Sequence, residues 1–396
     1  MLWVYLLLIR LYNSSIGVDW VREIYLDNSA TTKVCSDAVE KIVKVLAETY
    51  GNPSSLHEKG FAAEQEVELA RKIIADSLGA VSSEICFTSG GTESNNLAIF
   101  GAVEAHQRRG NKIITTSIEH SSVYNVAKEL EKCGFEVVYI KPNQAGQIEF
   151  SQIEEALDEH TILVNMMLVN NETGSILPVE SLKNIIKKKN LSTLLHVDAV
   201  QAFGKIPVNV NKLGADLLSL SAHKVHGPKG VGALYIRKGV RILPRTFGGE
   251  QQKKLRPGTE PVPLIVGFGA AVRQFSISEN FVEIQRLNEL CRDELAKMAG
   301  FTINSPESAV PHILNFSTNA VKSETMLHFL SSKGIFVSSG SACAKGKKSR
   351  VLTEMGLSQK QVDTALRVSF SRYNTKDDVE KFVQQVRWGL ETLAHL

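Results

Sequence analysis

Asp216–Gly232 reads DLLSLSAHKVHGPKGVG, and this window decides the fold. Its first half, Leu217–Ser221, is a short apolar run without strict polar alternation, the pattern of a strand covered on both faces. Its second half is a glycine-bearing loop that opens on Ser221, His223 and Lys224. Buried runs of the same kind recur at Ile85–Thr88, Lys112–Thr116, Glu136–Ile140, Ile162–Val169, Thr193–Val197 and Gly232–Arg237. Between them, Ala62–Leu78, Glu93–Gln107, Val123–Lys132 and Val179–Lys189 carry apolar residues at helical spacing. Strands alternating with helices predict an α/β fold, a mostly parallel sheet sandwiched by helices that serve as crossovers.

Past Arg256-Pro257-Gly258 and Glu260-Pro261-Val262-Pro263 the character changes. The spacing predicts one long helical stretch over Ile265–Met298, then short strands near Ile313–Phe316, Phe336–Ser338 and Leu366–Phe370. Thr375 followed by Asp378 fits a capping box that opens the last helix, Val379–Leu393. This predicts a large domain over 35–270 and a smaller α+β domain made of 22–34 and 271–396. Leu2–Leu11 is apolar but shorter than the ~20 residues of a spanning helix, and it lacks the flanks of a signal peptide. Residues 1–21 are expected to be a dispensable extension, the alternative being a targeting or surface-binding segment.

The chain has 396 residues, more than one core needs at ~100–200 residues per domain. Lys plus Arg at 45 against Asp plus Glu at 42 leaves a formal +3, and 43% of residues are hydrophobic. Such ordinary usage disfavours disorder and a basic nucleic-acid surface. Cys35, Cys86, Cys133, Cys291 and Cys343 are far apart, odd in number and form no Cys-x-x-Cys pair. Neither a zinc knuckle nor a disulfide framework is encoded, and a reducing, cytoplasmic setting follows. Cys86 and Cys133 read as packing thiols.

Lys224 stands at the carboxyl end of a buried run, where partial desolvation favours a neutral amine that can form an imine with an aldehyde cofactor. A pyridoxal phosphate site makes further demands. Asp198, closing the run Leu194–Val197, is placed to face a pyridinium nitrogen. Thr88-Ser89-Gly90-Gly91-Thr92-Glu93-Ser94-Asn95 offers glycines and hydroxyls between a strand and a helix, a phosphate cup that is neither Gly-x-Gly-x-x-Gly nor Gly-x-x-x-x-Gly-Lys-Ser/Thr. His120 could stack on a flat ring or shuttle protons, and Asn170–Gly174 could hydrogen-bond a ring oxygen. All sit at strand ends expected to line one edge of an open sheet, where ligands bind. Cys343 lies among small residues with Lys345, Lys347, Lys348 and Arg350 nearby, a setting that favours a reactive thiolate. Arg367, inside a short strand, needs an anionic partner, either a substrate carboxylate or a structural salt bridge.

Taken with Tyr25–Thr32 (YLDNSATT), Gly51–Ser55 (GNPSS), Arg256–Thr259 (RPGT) and Ser338–Cys343 (SSGSAC), these motifs resemble the NifS/IscS-type cysteine desulfurases, class V aminotransferase-type pyridoxal phosphate enzymes of fold type I. The resemblance runs from Ile24 to the carboxyl terminus. It implies that Lys224 holds the cofactor, His120 stacks on its ring and Asp198 pairs with its nitrogen. Asn171 and Gln201 would contact the ring oxygen side, and Gly91, Thr92, Ser221 and His223 the phosphate. Thr259 would reach the phosphate of a second subunit, implying a homodimer. Arg367 would grip the carboxylate of L-cysteine. Cys343 would carry the persulfide to an acceptor such as an iron–sulfur scaffold protein, and could transiently ligate a cluster during transfer; no resident metal, nucleic acid or membrane is expected.

Two stretches depart from the commoner family pattern. The segment after Cys343 is short and reads Lys347-Lys348-Ser349-Arg350 where Leu-Glu-Pro-Ser is typical, and Gly248-Gly249-Glu250-Gln251-Gln252 replaces Gly-Gly-Gly-Gln-Glu. A class V selenocysteine lyase or aminotransferase would not need Cys343. A non-catalytic sulfur-transfer scaffold would not need Lys224 and Asp198.

Overall fold

The computed structural model describes residues 22–189, 191–340 and 348–396. Its strands are β1 (Ile24–Tyr25), β2 (Ile85–Thr88), β3 (Lys112–Thr116), β4 (Glu136–Ile140), β5 (Thr161–Met167), β6 (Leu194–Asp198), β7 (Leu217–Ser221), β8 (Gly232–Ile236), β9 (Thr302–Ile303), β10 (Ile313–Ser317), β11 (Ile335–Phe336) and β12 (Ala365–Ser369). Strands β2 to β8 form a seven-stranded sheet in the order β2-β8-β7-β6-β5-β3-β4. Neighbours from β7 to β4 run parallel, whereas β8 is antiparallel to both β7 and β2. The cause is local. The link Ala222–Val231 is too short for a crossover, which takes about a dozen residues or more, so the chain returns as a hairpin. Lys224, in that hairpin, stays beside the strand ends.

Both sheet faces are buried, and the alternation can be followed residue by residue. Ile113, Leu163, Leu194 and Leu217 enter one apolar cluster, and their successors Ile114, Val164, Leu195 and Leu218 enter the other. A period of two with both phases buried is why these strands lack polar alternation. Strand β5 stops at Met167, short of the expected Val169. There the chain doubles back, with Val169 bridging to Ile176 and Leu168 N donating to Asp198 O at 2.9 Å.

The remaining strands make smaller sheets, antiparallel β12-β10-β9 and the parallel pair β1-β11. Isolated bridges Asp27–Ser369 and Ser338–Arg367 connect the two. A separate apolar cluster holds Phe316, Phe370 and Phe382 under the helices Ile277–Ala296, Ser323–Ser332 and Lys376–Thr392. The long helix expected over Ile265–Met298 is instead two, Val262–Arg273 and Ile277–Ala296. Phe275 sits in the break with its ring 5.1 Å from that of Phe203, pinning the turn to the large sheet's core. Cys86 is buried, with its thiol pushed up to about 12, but Cys133 caps the helix Ser121–Lys132 and is exposed, so only the first is a packing thiol. Residues 1–21 lie outside the described residues.

The capping box of the last helix forms as expected. Asp378 N donates to Thr375 Oγ1 at 3.3 Å and Thr375 N to Asp378 Oδ2 at 3.0 Å, while Arg22 pairs with Asp378 at 2.9 Å. Thr375→Ala is expected to lower unfolding stability by about 1 kcal/mol, read as a shift in denaturant midpoint at unchanged slope.

Candidate active site

A cavity of about 170 Å³ opens where the parallel strands end. Thr88 of β2 leads to Gly91 and Thr92, Thr116 of β3 to His120, Met167 of β5 to Asn171, and Ser221 of β7 to His223 and Lys224, while Asp198 closes β6. Arg367 enters the wall from β12. Ten of the residues expected from sequence therefore line one cavity: Gly91, Thr92, His120, Asn171, Asp198, Gln201, Ser221, His223, Lys224 and Arg367. Thr259 is exposed and does not line it. Cys343 lies outside the described residues.

Asp198 is 4% exposed and accepts from Asn95 Nδ2 at 2.8 Å and Val200 N at 3.0 Å. The same Asn95 amide donates to Ser122 Oγ at 2.8 Å, and that hydroxyl meets His120 Nδ1 at 2.8 Å. His120 Nδ1 also accepts from Ser122 N, capping the helix Ser121–Lys132. One hydrogen-bonded chain thus fixes the carboxylate and the imidazole together. Burial depresses the His120 pKa against the opposing pull of Asp198, favouring the neutral ring. Asn95 and Ser122 were not singled out in the sequence, because a polar side chain one helical turn inside a motif carries no signature of its own.

Lys224 Nζ donates to Ala30 O at 2.9 Å and to Ser29 O. Gln201 Nε2 donates to the same Ser29 carbonyl at 2.9 Å, and its Oε1 accepts from buried Lys205 Nζ at 2.6 Å. His223 Nδ1 lies 3.2 Å from Thr31 Oγ1, and burial pulls its pKa down to about 4. The segment Ser29–Thr31, quoted only as part of a motif, is thereby an integral part of the site.

Arg367 is 1% exposed; its Nη2 pairs with Asp27 Oδ1 at 2.8 Å and its Nη1 donates to Asn171 O at 2.9 Å. The salt bridge considered from sequence is present, and Nε is left with no hydrogen-bond partner among the described residues. Glu119, beside His120, is fully buried and accepts at Oε1 from Thr116 Oγ1 at 2.8 Å and Met167 N at 2.9 Å. Burial first, with Asp198 adding repulsion, pushes its pKa up to about 8.

These features fit a flat ring with a basic nitrogen, an aldehyde and a phosphate. Asp198 is a buried acid whose oxygens are held by neutral donors. Ser221 lines the cavity, yet its Oγ is buried without a partner among the described residues, a cost that an incoming phosphate oxygen would remove. The helix Gly91–His106 starts at the same place with no side-chain cap among the described residues, so its first backbone N–H groups suit an anion. Gly232 lets the Gly90 turn lie against β8: a Cβ there would stand 2.7 Å from Gly90 Cα.

Known proteins resemble this chain along most of its length. The family described as Aminotransferase class-V matches residues 24–382. The chain is 41% identical over 380 residues to a cysteine desulfurase IscS of Methanosarcina thermophila, covering 95% of this chain and 94% of that protein. It is 42% identical over 379 residues to a cysteine desulfurase of Nostoc sp., covering 94% of each. The solved structure of a NifS-like protein superposes with a TM-score of 0.89 at 40% identity, covering 94% of this chain and all of that one.

Because the Glu119 carboxyl binds its proton more tightly folded than unfolded, its contribution to stability is fully present below the ordinary carboxylate value of 4.5 and is lost as pH rises through about 8. Glu119→Gln keeps an acceptor for Thr116 and Met167. It is expected to flatten the fall in unfolding stability between those two values, measured by chemical denaturation at pH 5 and pH 8.

Proposed function

Since the chain belongs to the class V aminotransferase family, we propose that it works as a cysteine desulfurase with pyridoxal phosphate, removing sulfur from L-cysteine to give L-alanine and a persulfide on Cys343. The observation that carries the reading is the meeting of Lys224, Asp198, His120 and Arg367 in one cavity. When bound, pyridoxal phosphate supplies an electron sink conjugated to the substrate's Cα.

The chain's own residues do the rest. Lys224 would hold the cofactor's aldehyde carbon, and its Nζ would be the group that moves the substrate's α-proton. Asp198, oriented by Asn95 and Val200, would keep a proton on the ring nitrogen. His120, fixed by Ser122, would cover the ring as a neutral imidazole. Asn171 and Gln201 would contact the ring oxygen side, and Gly91, Thr92, Ser221 and His223 would hold the phosphate. Arg367 offers Nε and a share of its Nη donors to the substrate carboxylate, with Asp27 setting the guanidinium plane. The Cys343 thiolate takes the sulfur: an S–S bond forms, the Cβ–S bond breaks, and Cβ, keeping the electron pair, is protonated to become the methyl group of alanine.

The working unit in this reading is a homodimer. Val43, Leu46, Tyr50, Leu56 and Phe61 form an exposed apolar stretch around the Gly51–Ser55 motif, with Leu56 completely exposed. Thr259, exposed and outside its own cavity, is available to the phosphate of a second subunit. The sulfur passes to an acceptor protein, an iron–sulfur scaffold being supported by the Ser338–Cys343 context and the likeness to relatives named IscS. A cytoplasmic setting is supported by the free thiols of Cys35, Cys86, Cys133 and Cys291. Among the described residues no helix is long and apolar enough to cross a membrane.

Incubating the protein with L-cysteine is expected to yield alanine and a sulfur adduct on the Cys343 peptide, both read by mass spectrometry. Cys343→Ser should abolish the adduct and alanine turnover. Persistence of turnover in that variant would point to a lyase or transaminase, and failure of the wild type to retain cofactor to a scaffold.

A further inference from the structure

Glu119 and Glu172 each precede or follow a residue of the cavity wall, His120 and Asn171, yet neither lines the cavity. Both face the chain that follows the Cys343 segment. The Ser349 hydroxyl donates to Glu172 Oε2 and accepts from Leu352 N at 3.1 Å, so it caps the helix Arg350–Glu354 and ties that cap to the Asn171 loop. Glu172 is itself held, its carbonyl accepting from Asn315 Nδ2 at 3.2 Å. Arg350 lays its guanidinium 3.9 Å from the centroid of the Tyr124 ring and donates to the backbone carbonyl of Glu119. A planar guanidinium can stack and donate at the same time, which a lysine ammonium does poorly. On the amino-terminal side, Ser338 and Arg367 exchange both backbone hydrogen bonds, at 3.1 and 2.6 Å.

We propose that Arg350, with Glu172 acting through Ser349, is a positioning residue for sulfur transfer: it anchors the chain just after the Cys343 segment to the two loops that carry His120 and Asn171. The anchor acts on geometry alone. Neither Arg350 nor Glu172 lines the cavity, so substrate binding is expected to survive their loss. The inference rests on the reading that Cys343 receives the sulfur.

The test is a single turnover of the holoenzyme with L-cysteine, following both the absorbance change on substrate binding and the appearance of the Cys343 adduct by quenched mass spectrometry. In Arg350→Ala the binding step should match wild type while adduct formation slows about ten- to a hundredfold, the range expected for a misplaced reacting group. Glu172→Gln, which keeps the acceptor for Ser349, should stay near wild type, and Glu172→Ala should slow the adduct step. Amide exchange over Val351–Glu354 should accelerate in Arg350→Ala with the large sheet unchanged. If Arg350→Ala does not fold, Tyr124→Leu removes the stacking surface and should show the same split more weakly. An adduct rate equal to wild type, or one that falls only in step with substrate binding, overturns the proposal. A wild type that forms no Cys343 adduct overturns the desulfurase reading and this inference with it.

Discussion

A carboxylate buried at the end of a parallel strand is the constraint from which the rest of the site follows. Asp198 ends β6 in the middle of the large sheet, 4% exposed, with its oxygens held by Asn95 and Val200. Removing such a charge from water is costly unless charge or strong donors meet it. The fold meets part of that cost with neutral donors and leaves the remaining face toward a cavity. A cationic ring nitrogen placed there would complete the compensation, so cofactor binding and the stability of this corner of the fold are coupled. The same logic orients its neighbours, because the Asn95 amide that holds Asp198 also holds Ser122, and Ser122 in turn fixes His120.

The second constraint is that Lys224 must be reachable and yet held. The short return from β7 to β8 keeps it at the strand ends, and the carbonyls of Ser29 and Ala30 take its protons in hydrogen bonds. Those carbonyls belong to the segment that begins with β1 and is stitched to the smaller sheets through β11 and Ser369. Arg367 comes from β12 in the same sheets. The substrate's amino end would meet Lys224 and its carboxylate end Arg367. In the proposed reading the two small sheets would reach both ends of one small molecule, and Asp27 and Asn171 each hold one Nη atom of the arginine.

Much of this was legible in the chain itself. The strands were readable because burial on both faces leaves unbroken apolar runs, and their polar ends because a motif such as Ser221-Ala222-His223-Lys224 interrupts such a run abruptly. The break at Gln274–Ser276 was not readable, since apolar spacing persists across it and only the packing of Phe275 on Phe203 turns the chain. The exposure of Cys133 was not readable either, because a helix cap next to apolar residues need not be buried. Asn95, Ser122 and Asp27 escaped for another reason: their importance lies in partners 27 to 340 residues away, and single-chain spacing carries no record of those pairings.

Burial sets the protonation of the groups around the cavity. Burial pulls His223 to about 4 and lowers His120 as well, so near neutral pH both rings are uncharged and neither competes as a strong base. His196, deeper in the sheet, is pulled to about 3 and serves only as a hydrogen-bonding group between Asn165 and Ser219. Glu119 is pushed to about 8 and so keeps its proton there. Lys205, with Gln201 as its hydrogen-bond acceptor, is pulled to about 7 by burial and then by the cations Lys224 and Arg367. The histidines are thus neutral and the buried glutamate protonated near neutral pH, so desolvation strips charge from the groups around the cavity and leaves the proposed role of base to the Lys224 amine that lines it.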